Sequence, residues 1–185
     1  PEIELEYVYY YGKGYLPYAK AAYDTMTLEQ VVEDKCKYSG RDPKSFLSLD
    51  EVLKMDDISG ENGRFVRVIT AANGKKAFLR IYKDNHVYPY ESQISTALKT
   101  LLQEAPMVGF VTGHKERSGM DMGEKGYGTF ASNKTFRYSL ENSGYGVREI
   151  SLEHPVAEDI NIIVLADMRS DFTEEEFRNF DAYLE

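Results

Sequence analysis

Val108-Gly-Phe-Val-Thr-Gly-His-Lys-Glu-Arg-Ser-Gly119 decides how the second half of this chain reads. With Met107 in front, Met107–Thr112 is a continuous apolar run. A run that is apolar on both faces suits a central parallel strand covered by helices. Gly113 ends it, and His114, Lys115 and Glu116 follow at once. In open α/β sheets, ligands bind beyond the carboxyl ends of the strands. The polar tip of this stretch stands at such a place.

Ile160–Ala166 repeats the pattern, and Asp167-Met168-Arg169 follows it. If the two runs are neighbouring strands, His114, Glu116, Asp167 and Arg169 face one crevice, and these four are the candidate ligand-binding residues. Between the runs lie a glycine-rich loop, a predicted helix over Thr129–Asn142 and a short strand over Gly146–Leu152. Strand, helix, strand, strand, helix is an α/β arrangement.

The first half is read from local signals. Ile3–Tyr11 alternates and predicts a strand with Ile3, Leu5, Tyr7 and Tyr9 packed on one face, ended by Gly12-Lys13-Gly14. Thr27…Gln30, Ser48…Glu51 and, near the end, Thr173…Glu176 each fit a capping box. Staple pairs flank all three: Met26 with Val31, Leu47 with Val52, Phe172 with Phe177. The first helix carries Leu28, Val31, Val32 and Cys36 on one face, and the last carries Phe177, Phe180 and Leu184. A helix beginning near Glu91 carries the stripe Ile94, Ala97, Leu98, Leu101, Leu102. Arg64–Ala72 and Lys75–Tyr82 flank Asn73-Gly74, which predicts a hairpin closed by a type I′ turn. The expectation is one domain over 1–185, with a soft boundary near Tyr88-Pro89: strand, helices and hairpin over 1–89, the α/β half over 90–185.

Composition narrows the partners. The net charge is −9 and no window is rich in Lys or Arg, so nucleic acid and anionic membrane surfaces are poor candidates. Hydrophobic residues make up 42% of the chain, enough for a sizeable core. A single cysteine makes no internal disulfide and leaves the redox compartment open. No apolar run approaches the ~18 residues of a membrane helix. The chain starts at Pro1, directly in a strand-like run. We read it as a cleaved or excised piece of a longer protein.

The chemical census is thin. His114-Lys-Glu116 matches the H-x-E of zinc deaminases, but no P-C-x-x-C accompanies it. His86 and His154 lie in unrelated segments, so neither a metal nor any other cofactor is expected. There is no G-x-S-x-G elbow, and Cys36 reads as inert helix packing. Gly119–Gly128 precedes a helix yet lacks both phosphate-loop patterns, and Asp121 and Glu124 repel anions. It reads as a long, mobile surface loop. Glu174-Glu175-Glu176 suits the helix dipole and needs no further role. Fifteen tyrosines, clustered at Tyr7–Tyr11, Tyr15/Tyr18 and Tyr82/Tyr88/Tyr90, read either as contact surface or as sheet packing. No catalytic residue is assigned.

The order of pieces resembles the GldG family, auxiliary proteins of gliding-motility and other bacterial ABC transporters. Glu91-Ser-Gln-Ile-Ser-Thr-Ala-Leu98 is similar to the family's helix start, E-x-x-I-x-x-A, and Val108–Glu116 to its apolar strand ending Gly-His-Gly-Glu. Tyr127, Phe130 and Leu140, then Gly144-Tyr-Gly-Val147 with Leu152, then Ile160–Ala166 and Thr173–Glu176, follow in the family's order. The resemblance covers Glu91 to Glu185. Two positions depart from it: Lys115 stands where the family has glycine, and Asp167-Met168 where it has Gly-Pro.

The resemblance implies a flavodoxin-like three-layer sandwich, related to class I glutamine amidotransferases but without their catalytic cysteine, to which the hairpin is an addition. It implies an extracytoplasmic, periplasmic domain of a longer membrane-anchored protein, held at the inner membrane only by helices outside this chain, with ABC permease and ATPase subunits and other envelope proteins as partners. The leading expectation is therefore a non-enzymatic interaction or sensing domain. The alternatives are a small-ligand or carbohydrate-binding domain, with Arg169 pairing a carboxylate, and a cryptic or degenerate hydrolase.

Overall fold

The computed structural model describes residues 4–12, 25–61, 64–82, 84 and 86–185. Among these the protein is mixed α/β, with five α-helices and small, mostly parallel sheets. Contacts group the chain into two compact units, Pro1–Arg64 and Phe65–Glu185. The division falls between Arg64 and Phe65 and not at Tyr88-Pro89. The physical reason is a shared core: Ala77 and Leu79 of the hairpin bury against Ala97 and Leu101 of the following helix.

In the first unit, β1 (Tyr9–Tyr11) pairs in parallel with β2 (Phe46–Ser48). The long N-terminal strand is thus cut to three residues. Leu5 and Tyr7, expected on a packed face, are solvent-exposed, and Ile3, Lys13, Gly14, Tyr15 and Tyr18 lie outside the described residues. A partner strand of three residues gives the preceding alternation nothing to bury against. Tyr9 does find neighbours, with the Phe46 ring 5.6 Å away and the Arg41 guanidinium 4.3 Å from its centroid.

Helix α1 (Leu28–Ser39) opens on the expected capping box: Gln30 N donates to Thr27 Oγ1 and Thr27 N to Gln30 Oε1. Val31 and Cys36 supply its buried positions. Helix α2 (Leu49–Met55) has the same reciprocal pair between Ser48 and Glu51.

In the second unit, β3 (Val66–Thr70) and β4 (Lys76–Arg80) form the hairpin. Its turn is not type I′. Gly74 alone takes a left-handed φ (82°), while Asn73 does not. Gly74 N donates to Ala71 O, and Ala71 N to Lys75 O. This is the three-residue loop in which a type I turn is followed by a left-handed glycine. Asn73 Oδ1 accepts from Lys75 N and holds Asn73 in its turn geometry.

Helix α3 (Glu91–Leu102) starts where expected, but three of the five stripe residues face solvent. Gln93, Ala97 and Leu101, four residues apart, are buried, while Ile94, Leu98 and Leu102 are exposed. A two-stranded hairpin is narrow and covers one line of side chains.

Three parallel strands follow, in the order β6-β5-β7: β5 (Met107–Val111), β6 (Gly146–Ile150) and β7 (Ile160–Val164). β5 is central and its last four residues are buried, as its continuous apolarity predicts. β7 is terminal in this sheet rather than central, and Ile162 on it is 43% exposed. Val108, Phe110 and Ala131 form the core here, with Leu140, Val147 and Val164 against them.

The predicted helix over Thr129–Asn142 reduces to α4 (Gly128–Ala131) and a 3-10 turn at Glu141–Ser143. Side chains compete with the helix for its backbone partners. Asn133 Oδ1 accepts from Thr135 N, and Asn142 Nδ2 donates to the carbonyls of Asn133, Lys134 and Phe136. Helix α5 (Glu174–Leu184) closes the unit on its capping box, with Asn179 Nδ2 donating to Leu152 O. Its expected apolar face is inverted in part, since Phe177 and Leu184 are exposed and Glu176 is buried.

Candidate functional site

β5 and β7 are hydrogen-bonded neighbours, so the polar segments after them meet at one end of the sheet. The two segments are zipped together. Arg117 N donates to Ala166 O (2.8 Å), and Arg169 N donates to His114 O (3.0 Å). All four residues expected at the crevice are there, but they divide into a buried pair and an exposed pair.

His114 and Glu116 form the buried pair. His114 N donates to Glu116 Oε2 at 2.6 Å, and His114 Nδ1 lies 3.1 Å from Glu116 Oε1. The other ring nitrogen, Nε2, lies 3.2 Å from Glu176 Oε2. The three side chains are 8%, 1% and 9% exposed. The Phe172 ring meets the imidazole edge-on at 5.0 Å. Thus both nitrogens of a buried imidazole are committed to carboxylates, and the histidine ties the end of β5 to the start of α5.

Glu176 corrects the reading of the acidic triplet as a dipole partner alone. Its Oε2 accepts from Thr173 N and Thr173 Oγ1 and also faces His114. The Thr173 amide, then its hydroxyl, and then His114 hold this carboxyl below its ordinary range, against the opposing effect of burial. Sequence reasoning found Glu176 as a cap but had no signal for its second partner, 62 residues away.

Asp167 and Arg169 form the exposed pair, joined by Arg117, which sequence reasoning passed over. Arg117 Nε and Arg169 Nη2 both donate to Asp167 Oδ2, at 3.0 and 2.9 Å. Arg169, then Arg117, lowers the Asp167 carboxyl below its usual range. Lys115 and Asp167 take left-handed φ values of 61° and 58°, a conformation that favours glycine. They are the only non-glycine residues to do so among those described.

The glycine-rich loop beside this site is built rather than loose. Ser118 Oγ accepts from Met120 N and Asp121 N and donates to Glu149 Oε1. Tyr127 N donates to Ser118 O, and Gly128 N to Asp121 O. A Cβ at Gly126 would stand 2.1 Å from the Asp121 carbonyl oxygen, so the loop folds back too closely for a side chain there. The expected mobile loop is therefore a hydrogen-bonded one, and its glycines serve close packing.

A second polar centre lies away from the strand ends. Arg137 Nε and Nη2 donate to the two oxygens of Asp84 (2.6 and 2.8 Å), Nη1 to Gln93 Oε1, and Nη2 also to His86 O. Tyr82 and Tyr90 each place a ring 4.6 and 4.3 Å from the guanidinium. The Arg137 guanidinium pulls the Asp84 carboxyl down to about 2. With all three nitrogens engaged, the centre reads as a brace joining the hairpin's exit to α3. Of the clustered tyrosines Tyr82 is buried packing, while Tyr88 and Tyr90 are exposed, Tyr90 with its ring still against the guanidinium. Arg137 gave no signal in the sequence because its partners lie 44 to 53 residues away.

A groove of about 570 Å³ opens at the opposite ends of the strands, by Met107 and Asn161. Its charges, Lys75 and Lys76 with Glu104 and Asp159, are mixed in sign. No group of three or more His, Cys, Asp or Glu among the described residues could hold a metal ion. No helix among them is long and apolar enough to cross a membrane.

Comparison with family models, with curated proteins and with solved structures gives no match to this chain.

Proposed function

We propose that this chain is a non-enzymatic interaction or sensing domain, and that it serves an ABC-transporter auxiliary subunit on the extracytoplasmic face of the membrane. The observation that carries the first part is the commitment of His114. A general base needs a ring nitrogen within reach of the proton it removes. Here both nitrogens face buried carboxylates, and the side chain is 8% exposed.

The transporter context and the finer fold rest on the resemblance to the GldG family. In that reading the β6-β5-β7 sheet is the centre of a flavodoxin-like, glutamine-amidotransferase-like three-layer fold. The left-handed backbone supports it. The two positions with positive φ, Lys115 and Asp167, are those where the family carries glycine.

A panel of generic ester, amide, phosphoester and glycoside substrates tests the proposal. No turnover above a buffer blank is expected. Turnover that disappears in both His114→Ala and Glu116→Ala, with the fold intact by circular dichroism, overturns it. The transporter context is tested separately by the coding sequence on either side. Flanking membrane helices and an adjacent ABC ATPase support it, and a chain that begins and ends with this domain opposes it.

A further inference from the structure

The step between β5 and β7 is where the sheet changes direction. β5 leads to β6 on one side, and β6 leads back across to β7 on the other. In open α/β sheets the place beyond the carboxyl ends at such a step is where ligands bind. Gly113–Ser118 and Ala166–Arg169 occupy it here. Of their charged side chains, Glu116 is turned inward to His114. Those facing solvent are Lys115, Arg117 and Arg169 against Asp167, and the exposed Glu149 of β6 reaches Ser118 beside them, so three cations stand against two carboxylates. The rim is cationic on a chain whose net charge is −9.

The two arginines are arranged, not merely present. Both donate to one oxygen of Asp167, and each spends one nitrogen there. Their remaining guanidinium nitrogens make no other hydrogen bond among the described residues, and the side chains are 39% and 61% exposed. Exposed ion pairs of this kind contribute little to folding. The left-handed backbone at Lys115 and Asp167 opposes folding. The cluster is therefore poorly explained as a stability device. It is well explained as two guanidinium forks held in place by an internal carboxylate, since such forks match planar or tetrahedral oxyanions.

We infer that the rim formed by Arg117 and Arg169, with Lys115 in the same loop, binds the oxyanion group of a small molecule, a carboxylate or a phosphate. The site deepens the sensing role and rests on the reading of this domain as a binder. Asp167 orients the arginines and sets the strength of the site through its own negative charge.

The test is an amide-resolved NMR titration of the full chain with sodium phosphate and, separately, with sodium succinate. Sodium chloride at matched ionic strength is the control. Saturable shifts centred on residues 113–118 and 166–169 are expected with at least one of the two anions. Saturation by phosphate alone assigns a phosphate-bearing ligand, saturation by succinate alone assigns a carboxylic acid, and either supports the site. The Arg117→Gln, Arg169→Gln double variant, with both changes exposed, should keep its melting temperature and lose affinity at least tenfold. Shifts no larger than those in chloride, or a double variant that binds as the parent does, overturn the inference. A phosphomonoester added to the parent separates this from the wider proposal. Binding with release of phosphate would leave the site standing and sink the non-enzymatic reading. Neither binding nor release would sink the site and leave that reading intact.

Discussion

Replacing Lys115 by glycine should stabilise the protein, although it removes a side chain and adds none. Lys115 has φ 61°, where an L-residue's Cβ crowds the following carbonyl oxygen at a cost of about 1–2 kcal/mol. Glycine removes that cost but loses more freedom on folding, roughly 0.5–1 kcal/mol. The difference is a net gain of about 0.5–1 kcal/mol. Lys115 is exposed and has no hydrogen bond to lose among the described residues. For a chain of this length the gain corresponds to a rise of about 1–4 °C in melting temperature. Calorimetry and urea melts of parent, Lys115→Gly and Lys115→Ala decide it. Alanine removes the charge but keeps the Cβ, so it should show none of the gain. If alanine matches glycine, or if glycine lowers the midpoint, the backbone account of this loop is wrong. Asp167→Gly is the informative contrast. It relieves the same geometry (φ 58°) but removes the oxygen shared by Arg117 and Arg169, so it should disorder both arginines whatever it does to stability.

The other predictions concern the polar centres and the caps. Arg137→Ala strips two rings and a carboxylate of their partner and should cost about 1–3 kcal/mol by urea denaturation, since the Asp84 carboxylate left behind reaches solvent. Arg137→Lys, lacking the fork, should recover less than half of that. Asp84 has its carboxyl lowered from 3.8 to about 2, so its pairing stabilises fully above pH 4 and is lost as pH falls through 2. Asp84→Asn should flatten the stability profile in that window, and an unchanged acid limb would refute the assignment. Thr173→Ala removes the hydroxyl that caps α5 and shares Glu176, and should cost about 1 kcal/mol in the same denaturation assay. Gly126→Ala forces the Asp121 carbonyl to move and should raise amide exchange across residues 118–128, whereas exchange equal to the parent would show the loop to be loose after all.

Some parts of this protein were readable without coordinates because their causes are local. The three capping boxes stand where Thr27, Ser48 and Thr173 placed them, since each closes over three residues of chain. β5 is central, as its continuous apolarity predicts, whereas Ile160–Ala166, read the same way, carries Asn161 and forms the terminal strand β7. The hairpin was legible from Asn73-Gly74, but its turn type was not. A single side-chain acceptor, Asn73 Oδ1 to Lys75 N, goes with the three-residue form. Pattern failed where burial depended on the size of a partner. Ile94, Leu98 and Leu102 have helical spacing, yet a two-stranded hairpin covers only the adjacent line. Leu5 and Tyr7 alternate as a strand does, yet β2 is too short to pair with them. The Thr129–Asn142 segment has enough apolar residues for a helix, but Asn133 and Asn142 take the backbone groups that a helix needs.

The candidate site divides in the same way. The sequence by itself determined that a polar tip follows each of two apolar strands, and it supplied His114, Glu116, Asp167 and Arg169 as that tip's residues. Only the tertiary structure decided what they do. Strand order brought the two tips together, and the Arg117 and Arg169 amides tied each loop to the opposite one. The docking of α5 gave His114 a second carboxylate from 62 residues away. A cap closes within one turn of chain, so its residues specify it wherever they occur. An ion pair between distant segments exists only once the order and register of the sheet have set the distance between them.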